Sequence, residues 1–177
     1  MEFDQYTIRL LNQNDLQDYF NLIETNRKRL EDFFAGTVAI TQTIEDTQQH
    51  VNDILSQAAN KKYFPFVVID TTNNKMVASV QVKNIDWSIP KGELGYYIDT
   101  AYEGKGIVTK ATKLIIDHCF DELKFNKLFI RTHESNVPSR KVAEKNGFEL
   151  EGIIRRDYKI TSGQVVDLMY YGLLRTE

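Results

Sequence analysis

The residues most able to do chemistry fall in three stretches. In AYEGKGIVTKAT (101–112), Gly104 and Gly106 flank Lys105 just ahead of an amphipathic segment. Glycines at a strand-to-helix junction either make a tight turn or let bare backbone approach a ligand. The first N–H groups of a helix have no intrahelical partner, and with the helix dipole they form an anion site. The amides of Gly104, Lys105, Gly106, Ile107, Val108 and Thr109 are the candidates, and a pyrophosphate is an anion that such a cradle suits. No Gly-Lys-Ser/Thr ending makes this a Walker-type loop, and no third glycine completes a dinucleotide fingerprint. The second stretch, NVPSR (136–140), offers Asn136, Ser139 and Arg140, which serve equally well as helix-start residues and an exposed helix cation. The third group is two carboxylates, Glu93 in GELGYYID and Asp157 in RRDYK. A carboxylate on a strand beside a pocket can take a proton. Glu93 could equally sit in solvent at a strand end, and Asp157 could pair with Arg155 or Arg156.

Positioning these groups falls to a scaffold whose pattern is readable. YTIRLL (6–11) alternates as a strand. Asp15 then caps a helix to about Phe34, with Leu16, Tyr19, Phe20, Ile23, Leu30, Phe33 and Phe34 near helical spacing. A second helix spans about 43–60, capped by Thr43 with Asp46 three residues on. FPFVVID (64–70) is an apolar strand, and Asn73-Asn74 makes the turn into KMVASVQVKNIDW, with Met76, Ala78, Val80 and Val82 on one face. In GELGYYID, Leu94, Tyr96 and Ile98 share one face, and Glu93, Gly95 and Tyr97 the other. After the glycine loop, Ala111, Leu114, Ile115, His118 and Cys119 mark a helix to about Leu123. KLFIRTH (127–133) follows as a strand, and strand–helix–strand predicts a parallel right-handed crossover. A short helix with Pro138 near its start and Asn146-Gly147 near its end leads to strands at about 148–160 and 164–173. The sum is one domain over 1–177, α/β or α+β, with a mixed sheet of about seven strands and four helices.

Composition narrows the function classes. A chain of 177 residues can bury a core without staples, and a single cysteine, Cys119, leaves no disulfide framework or cysteine-based zinc site. His50, His118 and His133 show no metal-ligand spacing. The first thirty residues lack the apolar core of a signal peptide, and no run approaches a membrane span. A reduced, cytoplasmic protein that binds neither membrane nor nucleic acid is expected. The net charge of −3 lacks the basic excess typical of nucleic-acid binders and suits a cationic partner.

The glycine loop, the preceding GELGYYI and the downstream NVPSRKVAEKNGFELEG together resemble the GNAT N-acetyltransferase superfamily. The branch they are similar to is the RimJ/RimL type, which includes enzymes that acetylate ribosomal-protein N-termini. The resemblance covers about 6–174 in the right element order. It implies a GNAT-type acyl-CoA N-acyltransferase fold, acetyl-CoA as co-substrate and the glycine loop on its pyrophosphate. It implies a pantetheine arm between splayed strands 93–99 and 127–133, bound by the backbone of Tyr97, Ile98 and Asp99, with the Ile98 amide as oxyanion donor. Asn136 is then expected to bond the arm or the loop, Ser139 to give a proton to the thiolate, and Arg140 to reach the phosphates. Glu93 is the first expected general base and Asp157 the second. Two positions depart from the family: Glu103 replaces its Gln/Arg and Val108 its final Gly/Ala, with Lys105 expected to offset Glu103. The implied reaction is direct transfer to a primary amine in a ternary complex, with no covalent enzyme intermediate. A protein N-terminal α-amine, with pKa about 7.7–8.0 against about 10.4 for lysine, asks little of a base. The rival readings are a small amine such as a polyamine or aminoglycoside, and a non-catalytic acyl-CoA-binding module. The resemblance also suggests a homo-oligomer.

Overall fold

The computed structural model describes residues 1–175. Among them the chain forms β1 (Glu2–Phe3), β2 (Tyr6–Leu10), α1 (Leu16–Leu30), α2 (Ala35–Ala39), α3 (Ile44–Ala59), β3 (Phe64–Asp70), β4 (Lys75–Asp86), β5 (Lys91–Ile98), α4 (Ile107–Asp121), β6 (Lys127–Thr132), α5 (Val137–Lys145), β7 (Glu149–Lys159) and β8 (Val165–Leu174). The strands make one mixed sheet in the order β1-β2-β3-β4-β5-β6-β8-β7. Every neighbouring pair is antiparallel except β5 and β6, which the α4 crossover makes parallel. No described helix is long and apolar enough to cross a membrane.

Helices cover both faces of the sheet. β3 is buried along its whole length, and alternation divides it. Phe64, Phe66 and Val68 join α4 in one core, while Val67 and Ile69 join α1 and α3 in the other. The first core holds Leu94, Tyr96, Ile107, Ala111 and Ile115, and the second Tyr19, Ile23, Val51 and Tyr97. The two faces of β5 are therefore assigned as its alternation predicts.

Eight strands and five helices replace the seven and four expected. The additions, β1 and α2, have two and five residues, too short to show a period. α1 ends at Leu30 rather than near Phe34. An i→i−4 bond still joins the Phe34 N–H to the Leu30 carbonyl at 2.7 Å, but Phe34 itself has left helical dihedrals, and its ring sits edge-on against Tyr97 with centroids 5.0 Å apart. Asp15 stands at the head of α1, but Asn12 is the residue whose side chain caps. Asp15 closes the reciprocal half of that capping box and holds Arg9 through bonds of 2.6 and 2.7 Å. Thr43 and Asp46 form a full capping box on α3, as the sequence predicts. In β4, Ala78, Val80 and Val82 share the α4 face, but a bulge at Val77 shifts Met76 to the opposite core. Trp87 is 40% exposed and stacks on the buried Phe125 ring.

Candidate active site

β5 and β6 pair only from Lys91–Glu93 to Lys127–Phe129. Both strands run on, to Ile98 and Thr132, without pairing, so a gap opens between them. Alternation decides which β5 amides face it. The Asp99 N–H donates to the Val77 carbonyl on β4 at 2.8 Å, so Asp99 and Tyr97 direct their main-chain groups to β4. The main-chain groups of Tyr96 and Ile98 therefore face the gap. Of the three residues expected to bind through backbone, Ile98 alone presents its amide there. The Asp99 carboxylate accepts from the Ala101 N–H at 3.0 Å and from Lys75 Nζ at 2.7 Å. Burial opposes its charge, but those bonds outweigh burial and hold it below its ordinary range.

At the end of the gap lies the glycine loop. Gly104 and Gly106 have φ of 74° and 75°, the left-handed region where side chains are strained. A Cβ on either would meet no atom within 4 Å, so the space over the loop is open. Gly106 is the N-cap of α4 and supplies no side-chain cap, which leaves the first amides of the helix to a ligand. Ile107 and Val108 pack into the core, and both also line the cleft described next. Glu103 is paired with Arg29 of α1, which also donates to the Ile98 carbonyl and, at 3.3 Å, to Asn26 Oδ1. That Asn26 oxygen accepts the Thr100 N–H at 3.0 Å and its hydroxyl at 2.8 Å. Arg29 thus offsets Glu103, the task expected of Lys105. Lys105 instead donates to the Ala101 carbonyl at 3.2 Å and covers the Tyr102 ring. From this loop a cleft of about 510 Å³ runs past Tyr97, Ile98 and Thr109 to Asn136 and Ser139.

At its far end the cleft meets the start of α5. Asn136 is the N-cap, its Oδ1 accepting the Ser139 N–H at 3.3 Å. Ser139 Oγ lies 3.2 Å from the Tyr96 hydroxyl, which donates to the Ser139 carbonyl at 2.8 Å. Burial pushes the Tyr96 phenol up, so it stays protonated and able to donate. Nothing in the sequence separated Tyr96 from an ordinary core aromatic. Arg140 does not line this cleft; its guanidinium bonds the Tyr171 hydroxyl and the Glu134 carbonyl.

A second, smaller pocket of about 210 Å³ lies on the other side of Tyr96, Asn136 and Ser139, walled by Phe34, His133 and Tyr158. Glu93 lines it, 5% exposed. Its Oε2 accepts from Asn84 at 2.6 Å and from Arg131 at 2.9 and 3.3 Å, while Oε1 accepts no hydrogen bond among the described residues. Arg131 also donates to Asp157 at 2.8 Å, so the two carboxylates singled out in the sequence share one guanidinium. Burial disfavours the charge on Arg131, but its two carboxylate partners outweigh that and hold it above its ordinary value. Asp157 pairs with Arg131 rather than Arg155 or Arg156, and it lies outside the pocket lining. Arg131 did carry a sequence signal, a charge that follows directly on the apolar run Leu128–Ile130 within a strand. The Tyr158 hydroxyl accepts the Ala35 N–H at 2.8 Å, tying β7 to the turn after α1. Cys119 lies on the buried face of α4, where burial pushes its thiol up to about 12, and it lines neither cleft.

Two clefts meeting at a serine and a tyrosine, one of them headed by an open glycine cradle, suit a group transfer between two substrates. Comparison with known proteins agrees. Residues 5–149 match the acetyltransferase (GNAT) domain family. A putative ribosomal N-acetyltransferase, YdaF, of Bacillus subtilis is 33% identical over 98% of this chain and 93% of its own. The ribosomal-protein-serine acetyltransferase of Escherichia coli is 26% identical over 81% of this chain and 79% of its own. The crystal structure of a ribosomal-protein-S5-alanine acetyltransferase from Vibrio fischeri superposes with a TM-score of 0.88 at 26% identity, covering 98% of this chain and 95% of that one. The chain belongs to the GNAT acetyltransferase family.

Proposed function

We propose that this N-acetyltransferase moves the acetyl group of acetyl-CoA to the α-amine at a protein N-terminus, an acceptor of the ribosomal-protein kind named for its relatives. The observation that carries the reading is the wall shared by the two clefts at Tyr96, Asn136 and Ser139. Acetyl-CoA enters by the larger cleft, its pyrophosphate on the amides of 104–109 and its arm along the Tyr96 and Ile98 amides. The acceptor enters by the smaller pocket. Its neutral amine attacks the thioester carbonyl, and the Ile98 N–H faces the oxygen that gains charge. Glu93 takes the departing amine proton, directly or through water, on its unoccupied Oε1. Arg131 and Asn84 hold the carboxylate in place. Ser139, whose hydroxyl donates to the Tyr96 oxygen at rest, turns that proton to the leaving thiolate and regains one from solvent. Asp157 acts on Glu93 only through Arg131 and is a positioning residue.

The pocket's size and charge favour an N-terminus over the small-amine rivals. A space of about 210 Å³ suits one residue and a short stem rather than an aminoglycoside. Its lining balances Glu93 and Asp32 against Lys83 and Arg131, so it lacks the acidic excess that a polyamine needs. The test incubates the protein with acetyl-CoA and matched panels of N-terminal peptides, polyamines and aminoglycosides, following free thiol and product mass. Acetylation at peptide α-amines is expected. Turnover confined to polyamines or aminoglycosides overturns the acceptor assignment. Binding of acetyl-CoA with no transfer to any amine overturns the enzymatic reading.

A further inference from the structure

Lys83 has no task in that reaction, yet it occupies the acceptor pocket. It sits on β4 directly opposite Glu93 on β5. Its Nζ stands 3.8 Å from Glu93 Oε1, beyond hydrogen-bond range, and donates no hydrogen bond among the described residues. At that distance the two charges form an ion pair without a hydrogen bond, so the ammonium keeps its N–H donors for another partner. Arg131 and Asn84 already meet that carboxylate through Oε2. The ammonium instead lies 5.9 Å from the centroid of the Phe34 ring, on the pocket wall. Its stem runs beside Gly95, where an added Cβ would stand in ordinary van der Waals contact with Lys83 Cε at 3.6 Å and the Phe34 ring at 3.7 Å. A positive charge is thus presented to the pocket with capacity to spare.

An acceptor amine must be neutral to react, so Lys83 does not contribute by attracting it. A donor cation beside the amine's binding space selects for an anion elsewhere on the acceptor. We propose that Lys83 is a specificity-determining residue that recognises a carboxylate near the reactive amine, as on a protein N-terminus with Asp or Glu in its first few residues. The proposal rests on the acetyl-transfer reading and deepens its acceptor class.

The readout is the ratio of kcat/KM for an acidic acceptor to that for its neutral counterpart, which cancels any general loss of activity. Two pairs are used: Ser-Glu against Ser-Gln peptides, and free amino acids against their amides. The wild type is expected to favour the acidic member about tenfold, in line with one charged hydrogen bond. The advantage should shrink with added salt. Lys83→Met should bring the ratio near one, Lys83→Arg should keep it, and Lys83→Glu should invert it towards a Ser-Lys peptide. A wild-type ratio near one, or a preference that survives Lys83→Met, overturns the proposal. If peptides are inert but free amines react, the N-terminal reading fails while the amino-acid pair still decides on Lys83. No transfer to any acceptor overturns both.

Discussion

Replacing Gly106 with alanine separates what the glycine loop needs for folding from what it needs for binding. The backbone at Gly106 has a φ of 75°, and a Cβ there would touch no atom within 4 Å. The folded protein therefore suffers no clash, only the left-handed penalty of about 1–2 kcal/mol. The stiffer unfolded chain returns about 0.4–1 kcal/mol of that. The net loss is on the order of 1 kcal/mol, a fall in Tm of roughly 2–4 °C for a protein this size. Gly163, in the turn between β7 and β8, has a φ of 91° and its nearest neighbour at 3.9 Å. Gly163→Ala should cost about the same in stability, and Gly163 lines neither cleft. Binding distinguishes the two. A methyl group at residue 106 adds bulk and strain at the residue that heads the cradle, and losing one charge-assisted amide contact costs about 1.5–3 kcal/mol, roughly ten- to a hundredfold in affinity. Titration calorimetry with CoA, beside thermal melts of both variants, measures each part. Gly106→Ala binding CoA as tightly as Gly163→Ala would refute the phosphate-cradle assignment.

The remaining predictions concern charge. Glu93→Gln should lower kcat by about a hundredfold and alter the pH profile while leaving CoA affinity unchanged; Asp157→Asn, one arginine removed, should have a smaller effect of the same kind. If neither variant changes the rate or the pH profile, both assignments fall. Arg29 and Glu103 should show a coupling energy of about 0.5–3 kcal/mol in a double-mutant cycle read on CoA binding; independent effects would mean that the pair does not fix the loop. Lys75→Met tests the Asp99 ion pair by its pH dependence. Asp99 is held below its ordinary 3.8 and Lys75 above its ordinary 10.5, so the pair stabilises the fold fully between those values. Its contribution is lost as pH falls through the folded Asp99 value, or rises through that of Lys75. The stability gap between wild type and variant should therefore be widest near neutrality and narrow at pH 3; a gap that does not change with pH counts against the assignment.

Local rules read well wherever one element determines its own shape. The α3 capping box, the alternation of β5 and the left-handed glycines all follow from residues close in sequence. The site was legible as segments but not as partnerships. Glu93 and Asp157 stood out as carboxylates, yet their common arginine lies on a third strand, 38 and 26 residues away. Arg29 joins a loop 74 residues downstream, and nothing in its own helix marks it for that. Tyr96 matters because the β5–β6 splay brings it to α5, while Tyr97 beside it faces the other core. Met76 was misassigned because a bulge reverses alternation without leaving a sequence mark. Pairing between distant segments is set by the tertiary fold, and period and propensity do not report it.

The wall between the two clefts divides the protein's capacity to change. Phe33, Phe34, Tyr96, Asn136 and Ser139 are the residues that line both. The glycine loop touches the donor side only, whereas Lys83, Arg131 and Tyr158 touch the acceptor side only. The acceptor side is also braced from outside the donor machinery, by the bond from Ala35 to Tyr158 and that from the Thr161 hydroxyl to the Glu31 carbonyl. On the proposed assignment, substitutions in the β7–β8 hairpin, whose Tyr158 and Leu168 line the smaller pocket alone, can therefore remodel which amine is accepted while the acyl-donor grip stays intact. A lineage with this architecture can acquire new acceptors by drift at one edge of the sheet, without passing through forms that no longer hold acetyl-CoA.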